Sequence, residues 1–267
     1  MYKKKFIVDD FEFNIDDILK TAWLAGKKIM DIYQKDFDVE YKDDESPLTE
    51  ADKKSHLIIT NELEKYKLPI LSEEGKETPY EERKNWNLFW MIDPIDGTKE
   101  FIKKNDEFTI NIALIYNNEP IFGVVYAPAI VEIYFTDEDN SYKAYLNTDT
   151  FEFKDIRKLP IKRDDNDLVI VASKSHLNEE TKKFIDSIKT DKNKEFISKG
   201  SSLKLCMVAE GKADIYPRLA PTMEWDTAAA DAIVRQSGKS SYQFENQELL
   251  GYNKKNLLNP YFIIKGK

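Results

Sequence analysis

The sequence predicts an α/β (α+β) protein of two domains. Apolar residues recur at helical spacing in the first part of the chain, strands separated by turns follow in the middle, and strands alternate with helices in the second half. The composition becomes polar over residues 136–167, so we place the boundary near Leu159-Pro160. The predicted domains are residues 1–159 and residues 160–267.

The first domain is predicted to begin with two helices. Apolar side chains follow one face from Ile15 to Tyr33, and Asn14 is a suitable N-cap because its side-chain oxygen can accept a bond from a free amide. The elements predicted after this helix are a strand at 36–41, a helix from Ser46 to about Tyr66 with Leu57, Ile58 and Leu63 inward, and a short strand at 69–72.

A buried strand from Leu88 to Ile92 is central to the predicted fold. It ends at Asp93-Pro94, because this pair disfavours helix and starts a turn. Three strands with turns at Asn117-Asn118 and Pro128-Ala129 follow, which predicts an antiparallel meander. From residue 108 onward, the predicted strands are 108–116, 121–126, 131–135, 168–172, 195–198, 214–216 and 261–264, and the predicted helices are 178–189, one ending at 210, and 226–236.

Composition excludes several classes of function. The 267 residues carry a formal net charge of −9, which argues against a general nucleic-acid binder, because such proteins usually present a basic face. The one cysteine, Cys206, permits no intrachain disulfide and fits a reducing, cytoplasmic setting. With only two histidines, metal chemistry must depend on carboxylates. We predict no signal peptide and no transmembrane segment; peripheral association with the inner face of the cell membrane and the oligomeric state stay open.

Two aspartates follow the central strand. Asp93 and Asp96 belong to the turn Asp93-Pro-Ile-Asp-Gly-Thr98, in which Gly97 permits unusual backbone angles. Their carboxylates repel each other and lose hydration unless a cation lies between them, and Mg²⁺ prefers such oxygen ligands. The carbonyl of Ile95 is a candidate third ligand. The alternative is a surface turn that ends the strand and binds nothing.

Two more acids are predicted to reach the same rim of a sheet. Glu73 follows a short strand, and Asp226 opens a helix as its cap. Together with Asp93 and Asp96 they supply enough charge to hold two Mg²⁺ ions for a phosphoryl transfer. The segment Gly200-Ser-Ser-Leu-Lys204 offers hydroxyls, a lysine and a helix N-terminus to an anion. Each stretch by itself also fits an ordinary cap or surface turn.

In combination, these motifs resemble the inositol monophosphatase superfamily of Mg²⁺-dependent, lithium-sensitive phosphatases. The resemblance rests on Glu73-Glu74, Asp93–Thr98 and Trp225–Ala229, and it extends from about Ile15 to the last strand. The segments 71–74, 96–102, 200–204, 209–213 and 216–218 resemble the bacterial 3'(2'),5'-bisphosphate nucleotidase branch. The implied fold is a layered α-β-α-β-α sandwich of the inositol monophosphatase and sugar phosphatase type.

The resemblance implies two to three Mg²⁺ ions held by acids from distant parts of the chain. The first ion would have Glu73, Asp93 and the Ile95 carbonyl as ligands. The second would have Asp93, Asp96 and Asp226. A third, more loosely held ion could share Glu73.

The resemblance also implies which residues activate water and hold the phosphate. Thr98, paired with Asp52, would orient and deprotonate the attacking water, so that Asp52, Thr98 and Glu73 are the predicted catalytic residues. The amides of Gly97 and Thr98 would hold the scissile phosphate. Position alone gives Asp52 no more than a favourable charge in the first turn of a helix.

The implied nucleotide contacts come mostly from the second domain. Ser173 and His176 match a segment that touches the nucleotide in relatives, although His176 by itself reads as a surface loop residue. A second, non-reacting phosphate requires a fixed cation, and Lys204 with Arg218 meets that need. The full set of predicted substrate contacts is Glu73, Ile95, Asp96, Gly97, Thr98, Ser173, His176, Gly200, Ser201, Lys204, Arg218 and Asp226.

The implied function is removal of the 3'-phosphate of adenosine 3',5'-bisphosphate, giving AMP and phosphate and clearing a by-product of sulfate assimilation. An inositol or sugar-bisphosphate phosphatase would share the acids and differ in the pocket. A non-catalytic nucleotide- or metal-binding regulator is the rival from another class, but it needs no pair such as Asp52 and Thr98. The predicted partner is a small-molecule nucleotide bisphosphate, not a nucleic acid.

Overall fold

Two large β-sheets alternate with layers of helices in the computed structural model, which describes residues 2–42, 47–163, 167–172 and 178–266. The helices are α1 (Ile15–Tyr33), α2 (Glu50–Leu63), α3 (Tyr80–Arg83), α4 (Thr98–Ile102), α5 (Glu179–Ser187), α6 (Leu203–Glu210) and α7 (Ala228–Gln236). The strands are β1 (Lys5–Val8), β2 (Phe11–Asn14), β3 (Val39–Tyr41), β4 (Pro47–Thr49), β5 (Ile70–Ser72), β6 (Leu88–Asp96), β7 (Thr109–Tyr116), β8 (Glu119–Ala127), β9 (Glu132–Thr136), β10 (Ser141–Leu146), β11 (Phe153–Lys158), β12 (Leu168–Ala172), β13 (Lys194–Ser198), β14 (Ile215–Arg218), β15 (Lys239–Gln243) and β16 (Phe262–Gly266).

The first sheet contains the central strand β6. Within the described residues its order is β11-β10-β9-β8-β7-β6-β5, antiparallel throughout except for the parallel pair β5 and β6. The predicted meander of β7, β8 and β9 is confirmed. The prediction that the central strand stops at Ile92 is wrong, because β6 continues to Asp96 through a register shift after Asp93. The shift takes Pro94, which cannot donate a ladder bond, out of the regular pairing.

Two strands of this sheet were not predicted. The polar segment 136–167 was expected to be a connection, but it contains β10 and β11. Strand β11 is an edge strand with mostly exposed side chains, so it carries no alternation of apolar and polar residues that would reveal it. The hairpin of β1 and β2 before the first helix was also missed.

The second sheet has the order β13-β12-β14-β16-β15 within the described part of the chain. Strand β12 is parallel to β13 and β14, whereas β16 is antiparallel to both β14 and β15. The chain leaves the first sheet at Lys158 and enters the second at Leu168. We retain the division of the chain at residue 159 as a proposal about domain organisation.

The layers follow the order predicted for an α-β-α-β-α sandwich, which is confirmed. Helices α1 and α2 pack with one face of the first sheet in one apolar core. Helices α6 and α7 share a second core with its other face and with the second sheet. Helix α5 contacts β14 and buries Thr181 and Ile185. In the middle layer, a Cβ atom at Gly123 of β8 would lie 2.1 Å from the Ala229 carbonyl oxygen, so glycine allows α7 to approach the sheet.

The helix predictions are confirmed for α1 and corrected for α2. The Asn14 side chain caps α1 by accepting a bond from the Asp16 amide at 3.0 Å. Helix α2 begins at Glu50, because Pro47–Thr49 forms β4 and pairs with β3, while Ser46 falls outside the described ranges. The inward direction predicted for Leu57 is wrong, since its side chain is 54% exposed.

Among the described helices, none is both long enough and apolar enough to cross a lipid bilayer.

Candidate active site

Three carboxylates from distant parts of the chain converge beside β6. Within the described residues, Glu73, Asp93 and Asp226 each offer an oxygen atom, and these atoms lie within 4.8 Å of one another. Glu73 follows β5 and Asp93 lies on β6; because these two strands are parallel, their carboxyl ends meet at the same edge. Asp226 lies in the loop before α7.

Electrostatics make this cluster unfavourable without a cation. Burial, together with the charges of Glu73, Asp96 and Asp226, raises the pKa of Asp93 well above its ordinary value. Burial and the same neighbouring acids raise the pKa of Asp226 as well. Burial also raises the pKa of Glu73 to about 6, although Lys42 opposes the shift. The ionised forms of these three acids are therefore destabilised by burial and by mutual repulsion.

The donor set fits a hard divalent cation. One Asp93 oxygen, Oδ1, accepts a bond from the Ile95 amide at 3.0 Å, whereas Oδ2 is buried and has no hydrogen-bond partner among the described residues. A buried acceptor without a donor is costly, and a metal ion would satisfy it. All side-chain ligand atoms of the cluster are carboxylate oxygens, the type that Mg²⁺ prefers.

A lysine that the sequence analysis did not single out contacts the cluster. The Lys42 Nζ atom lies 3.2 Å from Glu73 Oε1 and 2.5 Å from Glu74 Oε1. Lys42 directly follows β3, whose hairpin partner β4 leads into α2. It stands in a chain rich in lysine, so no sequence signal distinguishes it from a solvated surface residue.

Asp96 is held apart from the three converging carboxylates. Its Oδ2 atom accepts bonds from the hydroxyls of Ser201 at 2.9 Å and Ser202 at 2.8 Å. The structure therefore does not include Asp96 in the cluster of Glu73, Asp93 and Asp226, although its charge raises the pKa of both aspartates. Ser202 was not predicted as a site residue; its place in the Gly200–Lys204 segment was the available signal.

The role predicted for Asp226 as a helix cap is wrong. Helix α7 has Thr227 as its N-cap, and Asp226 lies one position before it. Its Oδ2 atom accepts a bond from the Met223 amide at 2.8 Å, which closes a tight turn within the preceding loop. The turn directs this carboxylate toward Glu73 and Asp93 instead of the first turn of the helix.

Asp52 and Thr98 form the predicted pair. Asp52 is buried in the first turn of α2, where Oδ2 accepts bonds from the Thr49 amide at 2.8 Å and the Thr49 hydroxyl at 2.5 Å. Its other oxygen, Oδ1, lies 3.1 Å from Thr98 Oγ1. Burial raises the pKa of Asp52, although the bonds from Thr49 and Thr98 oppose the shift.

The segment before α4 brings the Thr98 hydroxyl close to a predicted metal ligand. Thr98 Oγ1 lies 3.3 Å from the Ile95 carbonyl oxygen. Gly97 precedes the helix with φ of +93°, a conformation that favours glycine, and a Cβ atom there would also lie 3.2 Å from the Glu107 carbonyl oxygen. The structure thus brings Asp52, Ile95 and Thr98 together at the end of β6.

A cavity of about 230 Å³ adjoins these groups. It is lined by Asp96, Gly97 and Asp226 and by four of the predicted nucleotide contacts, Gly200, Ser201, Lys204 and Arg218. Its lining residues are Asp96, Gly97, Glu100, Lys103, Asn105, Glu107, Lys199, Gly200, Ser201, Lys204, Leu205, Tyr216, Arg218, Thr222, Asp226, Thr227 and Phe262. A Cβ atom at Gly200 would lie 2.8 Å from the Glu107 carbonyl oxygen, so glycine is required for this wall to close.

Two buried cations face this cavity. Lys204 is 6% exposed, and its Nζ donates to the Ser201 carbonyl oxygen at 2.6 Å. Burial lowers the pKa of Lys204 to about 8, the Asp96 charge opposes the shift, and the Arg218 charge adds to it. Arg218 donates to the Pro221 carbonyl oxygen at 2.7 Å, while its Nε is buried and has no partner in the described residues. Two buried cations with donors to spare favour an anion between them.

Ser173 and His176, the remaining predicted nucleotide contacts, fall in the range 173–177, which the structure does not describe. Their predicted role is neither supported nor opposed.

Comparison with known proteins places these features in a family. A profile described as the Inositol monophosphatase family matches residues 14–261. The chain belongs to the inositol monophosphatase family. Dependence on a divalent metal ion, generally Mg²⁺, and sensitivity to lithium are typical of this family.

Several relatives within the inositol monophosphatase family share one name. The chain is 40% identical to the 3'(2'),5'-bisphosphate nucleotidase CysQ of Shigella flexneri over 94% of this chain and 98% of that protein. It is 42% identical to the protein of the same name from Buchnera aphidicola over 84% and 82%. The crystal structure of CysQ from Bacteroides thetaiotaomicron superimposes with a TM-score of 0.85, at 45% identity and 94% and 96% coverage.

Proposed function

We propose that this chain is a 3'(2'),5'-bisphosphate nucleotidase that removes the 3'-phosphate of adenosine 3',5'-bisphosphate and releases AMP and phosphate. The identity to nucleotidases along nearly the whole chain supports this activity. The observation that carries it is the pair of buried cations, Lys204 and Arg218, in the cavity that adjoins the carboxylates. A substrate with two phosphates would place one phosphate at the carboxylates and the other at Lys204 and Arg218.

The carboxylates would hold two to three Mg²⁺ ions. Glu73, Asp93 and Asp226 converge closely enough to share ions, and the Ile95 carbonyl and Asp96 are the further proposed ligands. When bound, the ions lower the pKa of a coordinated water and neutralise charge on the phosphate. Because Asp96 Oδ2 accepts hydrogen bonds from Ser201 and Ser202, Asp96 would bind a metal ion through Oδ1 or after a change of side-chain rotamer.

Thr98 and Asp52 would prepare the attacking water. The Thr98 hydroxyl donates to Asp52 Oδ1, so its lone pairs are free to accept a hydrogen bond from a water molecule beside it. As the water proton moves to Thr98 Oγ1, the hydroxyl proton would pass to Asp52 Oδ1 and leave a hydroxide to attack the phosphate. Asp52 accepts two hydrogen bonds from Thr49, which fix the orientation of the carboxylate that faces this hydroxyl. Burial of Asp52 makes it a better proton acceptor than an exposed aspartate.

The cavity would select the nucleotide bisphosphate. Gly200 and Ser201 form its wall, and Lys204 and Arg218 supply the fixed positive charge for the phosphate that does not react. Inositol 1-phosphate has one phosphate and would leave both cations without an anion, at the cost of an unpaired buried charge. The single free cysteine, Cys206, is buried, which is compatible with the cytoplasmic location that forms part of this proposal.

Phosphate release in the presence of Mg²⁺ tests the proposal. Adenosine 3',5'-bisphosphate, adenosine 3'-monophosphate, inositol 1-phosphate and fructose 1,6-bisphosphate are compared at equal concentrations. We expect the highest kcat/KM for the adenosine bisphosphate, and we expect Lys204→Met to reduce its advantage over the 3'-monophosphate about tenfold or more, the equivalent of ~1.4 kcal/mol. A higher kcat/KM for inositol 1-phosphate would assign the chain to the rival activity.

A further inference from the structure

A buried glutamate next to the carboxylate cluster has no role in the function described so far. Glu224 is 0% exposed and lies two positions before Asp226. Both of its oxygens are occupied: Oε2 accepts from the Asn253 amide at 2.5 Å, and Oε1 accepts from the Lys254 amide at 3.0 Å and from Lys254 Nζ at 2.7 Å. The loop that ends at Asp226 is therefore fixed to the segment 253–254 through one side chain.

The same segment is fixed on its other side to α3. Arg83 Nη1 donates to Asn253 Oδ1 at 2.8 Å and to the Lys254 carbonyl oxygen at 2.7 Å, and Nη2 donates to the Lys255 carbonyl oxygen at 3.0 Å. The Asn253 amide group returns a bond to the Arg83 carbonyl oxygen at 2.7 Å. Arg83 ends α3, and residues 76–79 connect this helix to the turn that carries Glu73.

The Asp226 loop and α3, the helix that follows the Glu73 turn, are thus both hydrogen-bonded to the segment 253–255. Glu73 and Asp226 come from different halves of the chain. Their charges raise the pKa of Asp93, and the charge of Glu73 also raises the pKa of Asp226, because like charges repel. Without a cation, this repulsion tends to separate the loops that carry them. A backbone hydrogen bond from Glu224 N to the Leu257 carbonyl oxygen at 2.9 Å and a side-chain hydrogen bond from Asn259 Nδ2 to the Met223 carbonyl oxygen at 2.9 Å hold the Asp226 loop against residues 257–259.

We propose that Glu224 is a positioning residue for the metal-binding carboxylates: through Asn253, Lys254 and Arg83 it keeps the Asp226 loop at a fixed distance from the Glu73 loop. This inference rests on the proposed metal site, and it assigns Glu224 no contact with metal or substrate. Its carboxylate is suited to the task because it accepts two backbone amides and a lysine at once, which a neutral amide side chain cannot do.

Metal titration of the substrate-free protein tests the proposal. Glu224→Gln retains the shape of the side chain but replaces one accepting oxygen with a donor that faces a backbone amide. We expect calorimetry with MgCl2 or MnCl2 to show an affinity about 10–100-fold weaker than that of the wild type, the range found when supports of metal ligands are removed. At saturating Mg²⁺, kcat should return to within a few-fold of the wild-type value, because Glu224 takes no part in the reaction.

Glu210→Gln is the matched control. Glu210 is also a buried carboxylate with several donors: Tyr134 OH at 3.0 Å and Lys143 Nζ at 3.2 Å. It lies at the C-terminal end of α6, and within the described residues its carboxylate forms no hydrogen bond to the loops that carry Glu73 or Asp226. We expect this variant to lower the melting temperature and to leave metal affinity unchanged. Unchanged affinity in Glu224→Gln, or an equal loss in Glu210→Gln, would overturn the proposal.

A second variant keeps the proposal testable if Glu224→Gln does not fold. Arg83→Lys retains the charge but removes the fork that bonds Asn253, Lys254 and Lys255 together. We expect a several-fold weaker metal affinity, and no change would count against the proposal. Because these titrations use no nucleotide, their result is independent of whether the enzyme prefers the bisphosphate.

Discussion

The hydroxyl oxygen of Thr98 lies 3.1 Å from a carboxylate oxygen of Asp52, 46 positions earlier in the chain. Thr98 lies in the first turn of α4 and Asp52 in the first turn of α2. Strands β5 and β6 separate these helices along the chain, so the two residues meet only when the first sheet has formed. Ser55 strengthens this arrangement by donating to the Pro94 carbonyl oxygen at 2.8 Å. The pair is therefore a product of tertiary structure.

Thr98→Ala removes the hydroxyl that faces Asp52. We expect kcat to fall by roughly 10²–10⁴, the range typical of a lost general base, while the KM for the bisphosphate changes less than threefold. Steady-state phosphate release measures both constants. Thr98→Ser, which keeps the hydroxyl, is the control and should retain most of the activity; a Thr98→Ala enzyme with wild-type kcat would remove Thr98 from the mechanism.

Asp93→Asn removes a charge that the metal-free protein holds at a cost. Burial and three neighbouring acids raise the pKa of Asp93, so ionisation of this group is less favourable in the folded protein than in the unfolded chain. We expect the melting temperature without metal at pH 7 to rise by roughly 2–6 °C, since 1 kcal/mol corresponds to about 2–4 °C at this chain length. The gain should disappear as the pH falls, because wild-type Asp93 then becomes protonated as well. Added MgCl2 should stabilise the wild type and not the variant.

Asp137→Asn is the matched change for the previous prediction. Burial raises the pKa of Asp137, but bonds from the amides of Lys3 and Asp139 and from other donors outweigh burial and lower it. The stabilisation from this charge is therefore present above the ordinary aspartate pKa and lost as the pH falls through the lowered value. Neutralising Asp137 should lower the melting temperature at pH 7, and a rise in both variants would contradict the electrostatic explanation.

Binding of the second phosphate should weaken in alkaline solution. Burial lowers the pKa of Lys204 to about 8, so the free enzyme loses this cation as the pH rises above that value. We expect the ratio of kcat/KM for adenosine 3',5'-bisphosphate to that for adenosine 3'-monophosphate to fall up to about tenfold per pH unit above pH 8. Lys204→Met should make the ratio independent of pH over this interval. A ratio that is constant in the wild type would exclude Lys204 from phosphate binding.

Gly123→Ala tests the contact between the first sheet and α7. The new methyl group would lie 2.1 Å from the Ala229 carbonyl oxygen, which is backbone and cannot move aside without shifting the helix. We expect a loss of about 1–3 kcal/mol in the free energy of unfolding, measured with urea. Gly266→Ala, where no other atom of the described residues lies within 4 Å of the added atom, should change stability by less than about 0.5 kcal/mol.

The elements with strong periodicity could be predicted from the sequence. Helix α1, its Asn14 cap and the meander of β7–β9 follow from the spacing of apolar residues and from turn residues. For helix α2, the inward direction was predicted correctly for Leu63 and wrongly for Leu57. Its buried side also includes Asp52 and Ser55, polar residues that form hydrogen bonds with Thr98 and the Pro94 carbonyl. A hydrophobic pattern cannot represent a face that is buried for its hydrogen bonds.

The acids of the site were predictable and their supports were not. Each of Glu73, Asp93 and Asp226 follows a recognisable strand or precedes a recognisable helix, and the structure brings them together. Lys42 and Glu224 contact partners that lie far away in the chain, and nothing near either residue in the sequence indicates those partners. Side-chain networks of this kind depend on loop paths, which local propensity does not determine.

Helices α6 and α7, drawn from the second half of the chain, complete the core of the first sheet as well as that of the second. Halves of the protein split at residue 159 would each expose the apolar surface that the other normally covers. Produced separately they should aggregate, and produced together in one cell they should reassemble into a working enzyme. Partially translated chains would meet the same difficulty, so we expect stable folding only after α7 has been synthesised.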